Sequence, residues 1–386
     1  MATMTPCPFC FNEIDSSNLG YLCANQGNVK CPKEVDPERQ KITGSGAALG
    51  RYIEPLEGRK GVALCTKCQG ETKRRACPVC HTPLSIDFVG TRSPMLGMAG
   101  SKGSGKTVLM TVMIQQLRKA IALRFNADIS IATDNPDGMQ SITEYTKDRE
   151  ANLYKDGLLP EGTPTYEAGR RVPIVLRWRA DRKSTLVAFL DSAGEDFNTQ
   201  ESTSGLKYLY ACDYLIVALD PFSLPGARAQ INLPKEAVQN ADNVAIYALH
   251  KITEQLRTHY KLKATRKITV PVAIVFTKID AFFPVLEEGN PILASAPAVD
   301  SYDEIDGQAV HERMKALLRE WDAWEIESHM SKDYETYRYF GVSALGEQPD
   351  YANSHVAAGG VRPHRIADPI LWLMSKARMV KAVKSA

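Results

Sequence analysis

Long hydrophobic runs are missing from this chain. The longest, such as Tyr214 to Leu219 and Val270 to Phe276, fall far short of the roughly 18–20 residues that span a bilayer, so no transmembrane segment is expected. The first twenty residues lack a basic start followed by an apolar stretch. No secretory leader is therefore expected, and the sequence reads as cytoplasmic. An excess of one charge is also missing: 47 Lys and Arg stand against 45 Asp and Glu, so overall charge steers no partner. No internal repeat is present, which sets repeat architectures aside. What remains is ordinary globular composition, 44% hydrophobic and 24% charged over 386 residues. A chain of that length buries a full core without staples and is neither disordered nor collagen-like.

Cysteine is unevenly placed. Eight of the nine lie between Cys7 and Cys80, and the ninth is Cys212. They fall into four pairs: Cys7 with Cys10, Cys23 with Cys31, Cys65 with Cys68, and Cys77 with Cys80. Without an export signal, such pairs favour metal over disulfides. A C-x-x-C turn supplies two thiolates, and zinc takes four in a tetrahedron. Two zinc ions are expected. Cys65, Cys68, Cys77 and Cys80 are close enough in sequence to close one site, and Cys7, Cys10, Cys23 and Cys31 can close the other. An interleaved pairing stays open because the Cys23–Cys31 spacing is loose. His81 follows Cys80 and is expected beside the ligands rather than among them. Cys212 reads as a buried small hydrophobe.

Residues 1–93 thus read as a zinc module, with the polar, glycine-rich stretch 36–61 as a loop insertion. The module holds twelve Lys and Arg against nine Asp and Glu up to residue 94, and Lys73-Arg74-Arg75 is its basic cluster. Two four-thiolate zinc sites would turn that balance slightly negative. This is a poor footprint for a phosphate backbone, so a protein partner is expected and nucleic acid is not.

From Met95 onward, near-continuous Val, Ile, Leu and Ala strands alternate with helical patterns. Strands are expected at 95–99, 174–180, 186–190, 215–219, 270–276 and 339–342, with helices near 108–123, 241–262 and 310–328. The fold class is α/β: a mainly parallel sheet flanked by helices, with a small N-terminal zinc module. Residues 94–386 form the second domain, with insertions at about 124–171 and 284–306. Trp372, in an apolar helical stretch after Pro369, is expected to pack on the sheet.

Gly100-Ser101-Lys102-Gly103-Ser104-Gly105-Lys106-Thr107 matches G-x-x-x-x-G-K-[ST] between a strand and a helix. Glycines let backbone N–H groups turn toward phosphate oxygens, and the helix start adds positive potential. Lys106 is expected on the β- and γ-phosphates and Thr107 on Mg²⁺. Asp191-Ser192-Ala193-Gly194, ending a strand, resembles the D-x-x-G motif of Ras-like GTPases. Thr277-Lys278-Ile279-Asp280 resembles their guanine-reading [NT]-K-x-D motif, where a carboxylate accepts hydrogens that guanine carries and adenine lacks. Ser343-Ala344-Leu345 resembles the loop that donates to guanine O6. Each motif is weak alone. Their order and their placement at strand C-terminal ends carry the inference, because ligands of open α/β sheets bind at that edge.

The chain therefore resembles a Ras-like GTPase of the translation-factor-related class over residues 94–376. Its cysteine order, C-P-x-C through C-P-V-C-H, and its tail from Arg362 to Leu373 (Arg-Pro-His-Arg-Ile-Ala-Asp-Pro-Ile-Leu-Trp-Leu) resemble zinc-ribbon GTPases of bacterial conflict gene clusters. The resemblance implies bound GTP or GDP with Mg²⁺ held by Thr107, Asp191 and a switch threonine, for which Thr163 is preferred over Thr165. It also implies switch segments that meet a partner. Glu195 stands where such enzymes carry a glutamine that orients water, so hydrolysis is expected to be slow. Arg170 and Arg171 precede a strand and read as a solvated charge pair. Two other readings stay open: a GTP-binding scaffold with negligible turnover, and an ATPase carrying nucleic-acid-binding ribbons.

Overall fold

The computed structural model describes residues 4–25, 28–55, 61–85, 88, 94–101, 103–132, 142–160, 173–180, 183–191, 207–238 and 242–384. Two compact units result. One contains Met1–Met95, Asp128–Lys147 and Tyr166–Leu190, and the other contains Leu96–Ala127, Asp148–Thr165 and Asp191–Ala386.

The largest sheet has seven strands and is mostly parallel. In chain order these are β1 (Met95–Gly100), β2 (Asp128–Ile131), β3 (Ile174–Ala180), β4 (Lys183–Asp191), β5 (Tyr214–Leu219), β6 (Val272–Phe276) and β7 (Tyr337–Gly341). Strands β1, β5, β6 and β7 run parallel as neighbours in that order. Their apolar runs are buried along nearly their whole length, as expected of strands covered on both faces. Strands β2, β3 and β4 form an antiparallel group.

The helices that matter below are α1 (Pro37–Thr43), α2 (Lys106–Gln116), α3 (Ile142–Tyr154), α4 (Val244–His259), α5 (Glu304–Glu320), α6 (Trp324–Asp333) and α7 (Asp368–Lys376). Helix α5 starts where the Asp303 carboxylate accepts from the N–H groups of Ile305 and Asp306 at 2.9 and 3.1 Å, an N-cap of the usual kind. The helical stretch expected at 310–328 is two helices. The chain breaks at Asp322, whose φ of 52° lies in the left-handed region, and periodicity alone does not register one such residue. Helix α7 lies on β5 and β6, with Trp372 5.9 Å from Phe340 between ring centres. Cys212 is 3% exposed.

The stretch 36–61 departs from its expected loop character. Helix α1 begins at Pro37, Arg39 is 1% exposed, and Leu49 and Ile53 are buried. A polar average hid a short helix with an inward face.

His311 and His329 make the second unit acid-sensitive. Both are mostly buried, and burial pushes both imidazoles from 6.5 down to about 4. A depressed histidine favours the neutral folded form. Its contribution is whole above the unfolded value of about 6.5 and is lost as pH falls toward the folded value. His311 Nδ1 accepts from Tyr339 N–H at 3.0 Å, a role a glutamine oxygen can fill. Between pH 7 and 4.5 the unaltered chain should therefore lose about 2 kcal/mol more than a His311→Gln variant, at about 1.4 kcal/mol per pKa unit. Urea denaturation at the two pH values checks this, and equal losses would contradict it.

Candidate functional site

The N-terminal unit brings all eight expected cysteines together, but in the interleaved pairing. One quartet is Cys7, Cys10, Cys77 and Cys80, and the other is Cys23, Cys31, Cys65 and Cys68. This corrects the pairing of neighbours in sequence. The reason is strand pairing: Gly20–Leu22 lies between Tyr52–Ile53 and Arg75–Ala76, which carries the 77–80 turn back to the 7–10 turn. The 23–31 and 65–68 turns close inside that loop of chain.

Three of the four turns are built alike. Phe11, Gln69 and His81 each directly follow a second cysteine and have φ of 64°, 58° and 54°. Each also returns its N–H to the carbonyl of the first cysteine, at 2.9, 2.8 and 3.0 Å. The 23–31 limb has wider turns through Asn25 and Asn28.

The geometry fits zinc. A tetrahedron with metal–sulfur distances of about 2.3 Å has sulfur–sulfur edges of about 3.8 Å. The observed edges are 3.9 and 3.8 Å in the outer quartet and 3.6 and 3.6 Å in the inner. Burial pushes the Cys7 thiol up, and it pushes the Cys23 thiol up to about 12. Clustered buried thiols ionise together only with a cation among them.

In the other unit, the glycine-rich loop joins β1 to α2. Gly100 has φ 148°, and a Cβ there would strike the Ala218 carbonyl oxygen. Gly103 and Gly105 have φ of 71° and 76°, so the loop curls as only glycine permits without strain. Ser104 Oγ donates to the Ser101 carbonyl at 2.8 Å. Lys106 is 5% exposed, and its Nζ donates to the carbonyls of Gly100 and Ser101 at 2.9 and 2.7 Å. Thr107 follows in the first turn of α2.

The turn after β6 is tied to this loop. Thr277 Oγ1 donates to the Ser104 carbonyl at 2.8 Å, and Lys278 Nζ to the Gly103 carbonyl at 3.0 Å. Lys278, itself at φ 56°, also reaches Asp220 Oδ2 at 2.9 Å and lies 4.9 Å from the Phe222 ring centre. Asp280 is partly buried, and the desolvation holds its carboxyl above the ordinary value although Ser343 bonds to it. Ser343, Ala344 and Leu345 follow β7. Ser343 is fully buried and exchanges backbone bonds with His364 at 3.0 and 2.8 Å, while the Leu345 carbonyl accepts from Arg362 N–H at 2.7 Å.

Sequence reading missed Asp220, Tyr351 and the backbone bridge of His364 to Ser343. Asp220 had a signal, standing at the C-terminal end of parallel β5, the same edge as the other motifs. Tyr351 had none; its phenol is pushed up by burial and then by Asp280 and Asp220. Asp191 ends β4. Thr163, Thr165, Arg170, Arg171, Gly194 and Glu195 lie outside the described residues.

No protein-family model matches the chain. The chain is similar to SaeC of Mycolicibacterium smegmatis, a protein named as a candidate ESX-1 scaffolding and assembly protein. Identity is 25% over 405 residues, covering 96% of this chain and 99% of that one. Neither finding names a GTPase or a conflict system. The likeness runs nearly end to end, to a protein named for scaffolding. It overturns the expectation of a GTP-hydrolysing switch and favours the alternative reading of a scaffold with negligible turnover. The motif chain pointed to a ligand, and the step from ligand to turnover rested on resemblance alone. Among the described residues no helix is long and apolar enough to cross a membrane.

Proposed function

We propose that the chain is a cytoplasmic scaffold that binds a guanine nucleotide without turning it over and docks a protein partner through its zinc-held module. The observation that carries this reading is the tie between the Gly100–Thr107 loop and the Thr277–Asp280 turn. Hydrogen bonds from Thr277 and Lys278 hold the phosphate end and the base end of one site in register. The likeness to a protein named for scaffolding and assembly supports the structural use of that site. In this reading GTP or GDP is a fixed part of the platform. Lys106 and the loop N–H groups meet its phosphates, Thr107 and Asp191 hold Mg²⁺, and Asp280 meets the base. Two zinc ions fix the cysteine module, whose strands are two or three residues long.

Base choice tests the site. Asp280 accepts two hydrogens from guanine that adenine does not offer. At roughly 1.5–3 kcal/mol for each charged hydrogen bond, GTP should outbind ATP by at least about a hundredfold. Asp280→Asn should weaken GTP and improve xanthosine triphosphate. GTP should also bind more weakly as pH falls through the raised range of Asp280, because the protonated carboxyl loses its acceptor role. Competition binding with the three nucleotides decides this. An unchanged GTP preference in the variant would reduce Thr277–Asp280 to a turn. Bound GTP recovered intact after prolonged incubation with Mg²⁺ is the expected result for a scaffold, and prompt phosphate release would overturn it.

A further inference from the structure

Arg365 stands just before α7, at a φ of 51°, and its side chain is 1% exposed. The guanidinium grips the starts of two helices. Nη1 and Nη2 donate to the two Asp306 carboxylate oxygens at 3.0 and 2.6 Å, and Nη1 also donates to Asp368 Oδ2 at 2.6 Å. Asp306 lies in the first turn of α5, and Asp368 is the first residue of α7. Two carboxylates around one guanidinium leave an excess negative charge, which the positive ends of the two helices offset. A forked pair of this kind fixes geometry as well as charge.

The residues just before Arg365 clasp the loop after β7. His364 and Ser343 exchange backbone bonds at 2.8 and 3.0 Å, and Arg362 N–H donates to the Leu345 carbonyl at 2.7 Å. Gly346 has a φ of 84°, and a Cβ there would strike the Arg362 carbonyl oxygen, so the clasp is close. That loop in turn touches the turn that carries Asp280, where Ile279 N–H donates to the Val342 carbonyl at 3.2 Å. From the other side the His364 ring lies edge-on to Phe283, 5.1 Å between ring centres. Its Nε2 donates to the Ile292 carbonyl at 2.6 Å. One buried cation thus anchors a tail that meets the base end of the site from two directions.

We propose that Arg365 is a positioning residue for base selection: by pinning residues 362–365 to the starts of α5 and α7, it holds the Ser343–Leu345 loop and the Asp280 turn at the spacing that selects guanine. It acts through these neighbours and not on the nucleotide. This rests on the reading that the site binds a guanine nucleotide. Hydrogen bonds to a base weaken steeply when their angles are disturbed, whereas attraction between lysine and phosphate falls off slowly with distance. A loosened clasp should therefore blur the choice of base and spare the phosphate end.

The test uses the full-length chain and three probes: GTP, ATP and inorganic tripolyphosphate, each with Mg²⁺. The unaltered chain should prefer GTP to ATP. Absence of that preference would overturn the guanine reading, and this proposal with it. Given the preference, Arg365→Met should reduce it by about tenfold or more, the worth of one hydrogen bond to a charged group, while tripolyphosphate affinity stays within about twofold. Arg365→Lys keeps the charge and loses the fork, so its preference should fall between the two. Thermal unfolding is recorded for each variant. If Arg365→Met does not fold, Arg365→Lys decides: a reduced preference supports the proposal, and an unchanged one overturns it. A folded Arg365→Met that keeps its full GTP preference would overturn the proposal while leaving the guanine reading in place. So would one that loses GTP, ATP and tripolyphosphate alike.

Discussion

Cys31→Ser should cost the chain one zinc ion and the local fold around the inner quartet. Cys31 is 3% exposed, with its sulfur 3.6 Å from that of Cys65. Around the inner quartet pack Tyr21, Ile53 and Ala63. That is a small core, and the surrounding strands are too short to persist alone. Structural zinc contributes roughly 10–16 kcal/mol of apparent binding energy in such modules, and that energy is largely folding energy. Limited proteolysis should cut the variant within residues 4–85, where the unaltered protein resists. Double variants then read the pairing. Cys31→Ser with Cys65→Ser removes two ligands of one site and should lose one zinc. Cys7→Ser with Cys31→Ser strikes both sites and should lose two. Elemental analysis giving the opposite order would restore the pairing of sequence neighbours.

Lys106→Ala should lower nucleotide affinity by at least about a hundredfold. The ammonium is held over the loop by the Gly100 and Ser101 carbonyls at 2.9 and 2.7 Å, which places the charge where phosphates would enter. Two charged hydrogen bonds at roughly 1.5–3 kcal/mol each account for the expected loss. The variant also leaves two loop carbonyls short of a donor, so its folding is checked by circular dichroism before binding is measured by calorimetry. Normal GTP binding by the folded variant would remove the nucleotide from the proposed function. Because the proposed function assigns Lys106 to the phosphates and Asp280 to the base, their variants should differ in kind. Loss of Lys106 weakens GTP and ATP alike, whereas Asp280→Asn changes only the choice of base.

The residues that carry local chemistry were legible in the sequence. Glycines at 100, 103 and 105 mark a backbone that must take positive φ, and a lysine with a threonine at the following helix start leaves few alternatives. Eight cysteines in four short-range pairs announce two four-ligand sites, because zinc counts its ligands. The buried parallel strands were equally readable, since burial on both faces removes polar residues from the run. What the sequence left open depended on contacts between distant positions. Which cysteines share a quartet was decided by Gly20–Leu22 pairing with strands on both sides, which nests one quartet inside the other. Asp220 and Tyr351 join the site only because parallel strands and a tail segment deliver them to the same sheet edge. Arg39, an ordinary charge in a polar stretch by composition, becomes a buried side chain only when α1 forms and Asp36 at its start meets His81. Each of these outcomes is a long-range pairing, set by which surfaces bury one another, and neither spacing nor composition encodes that choice in any short window of the chain.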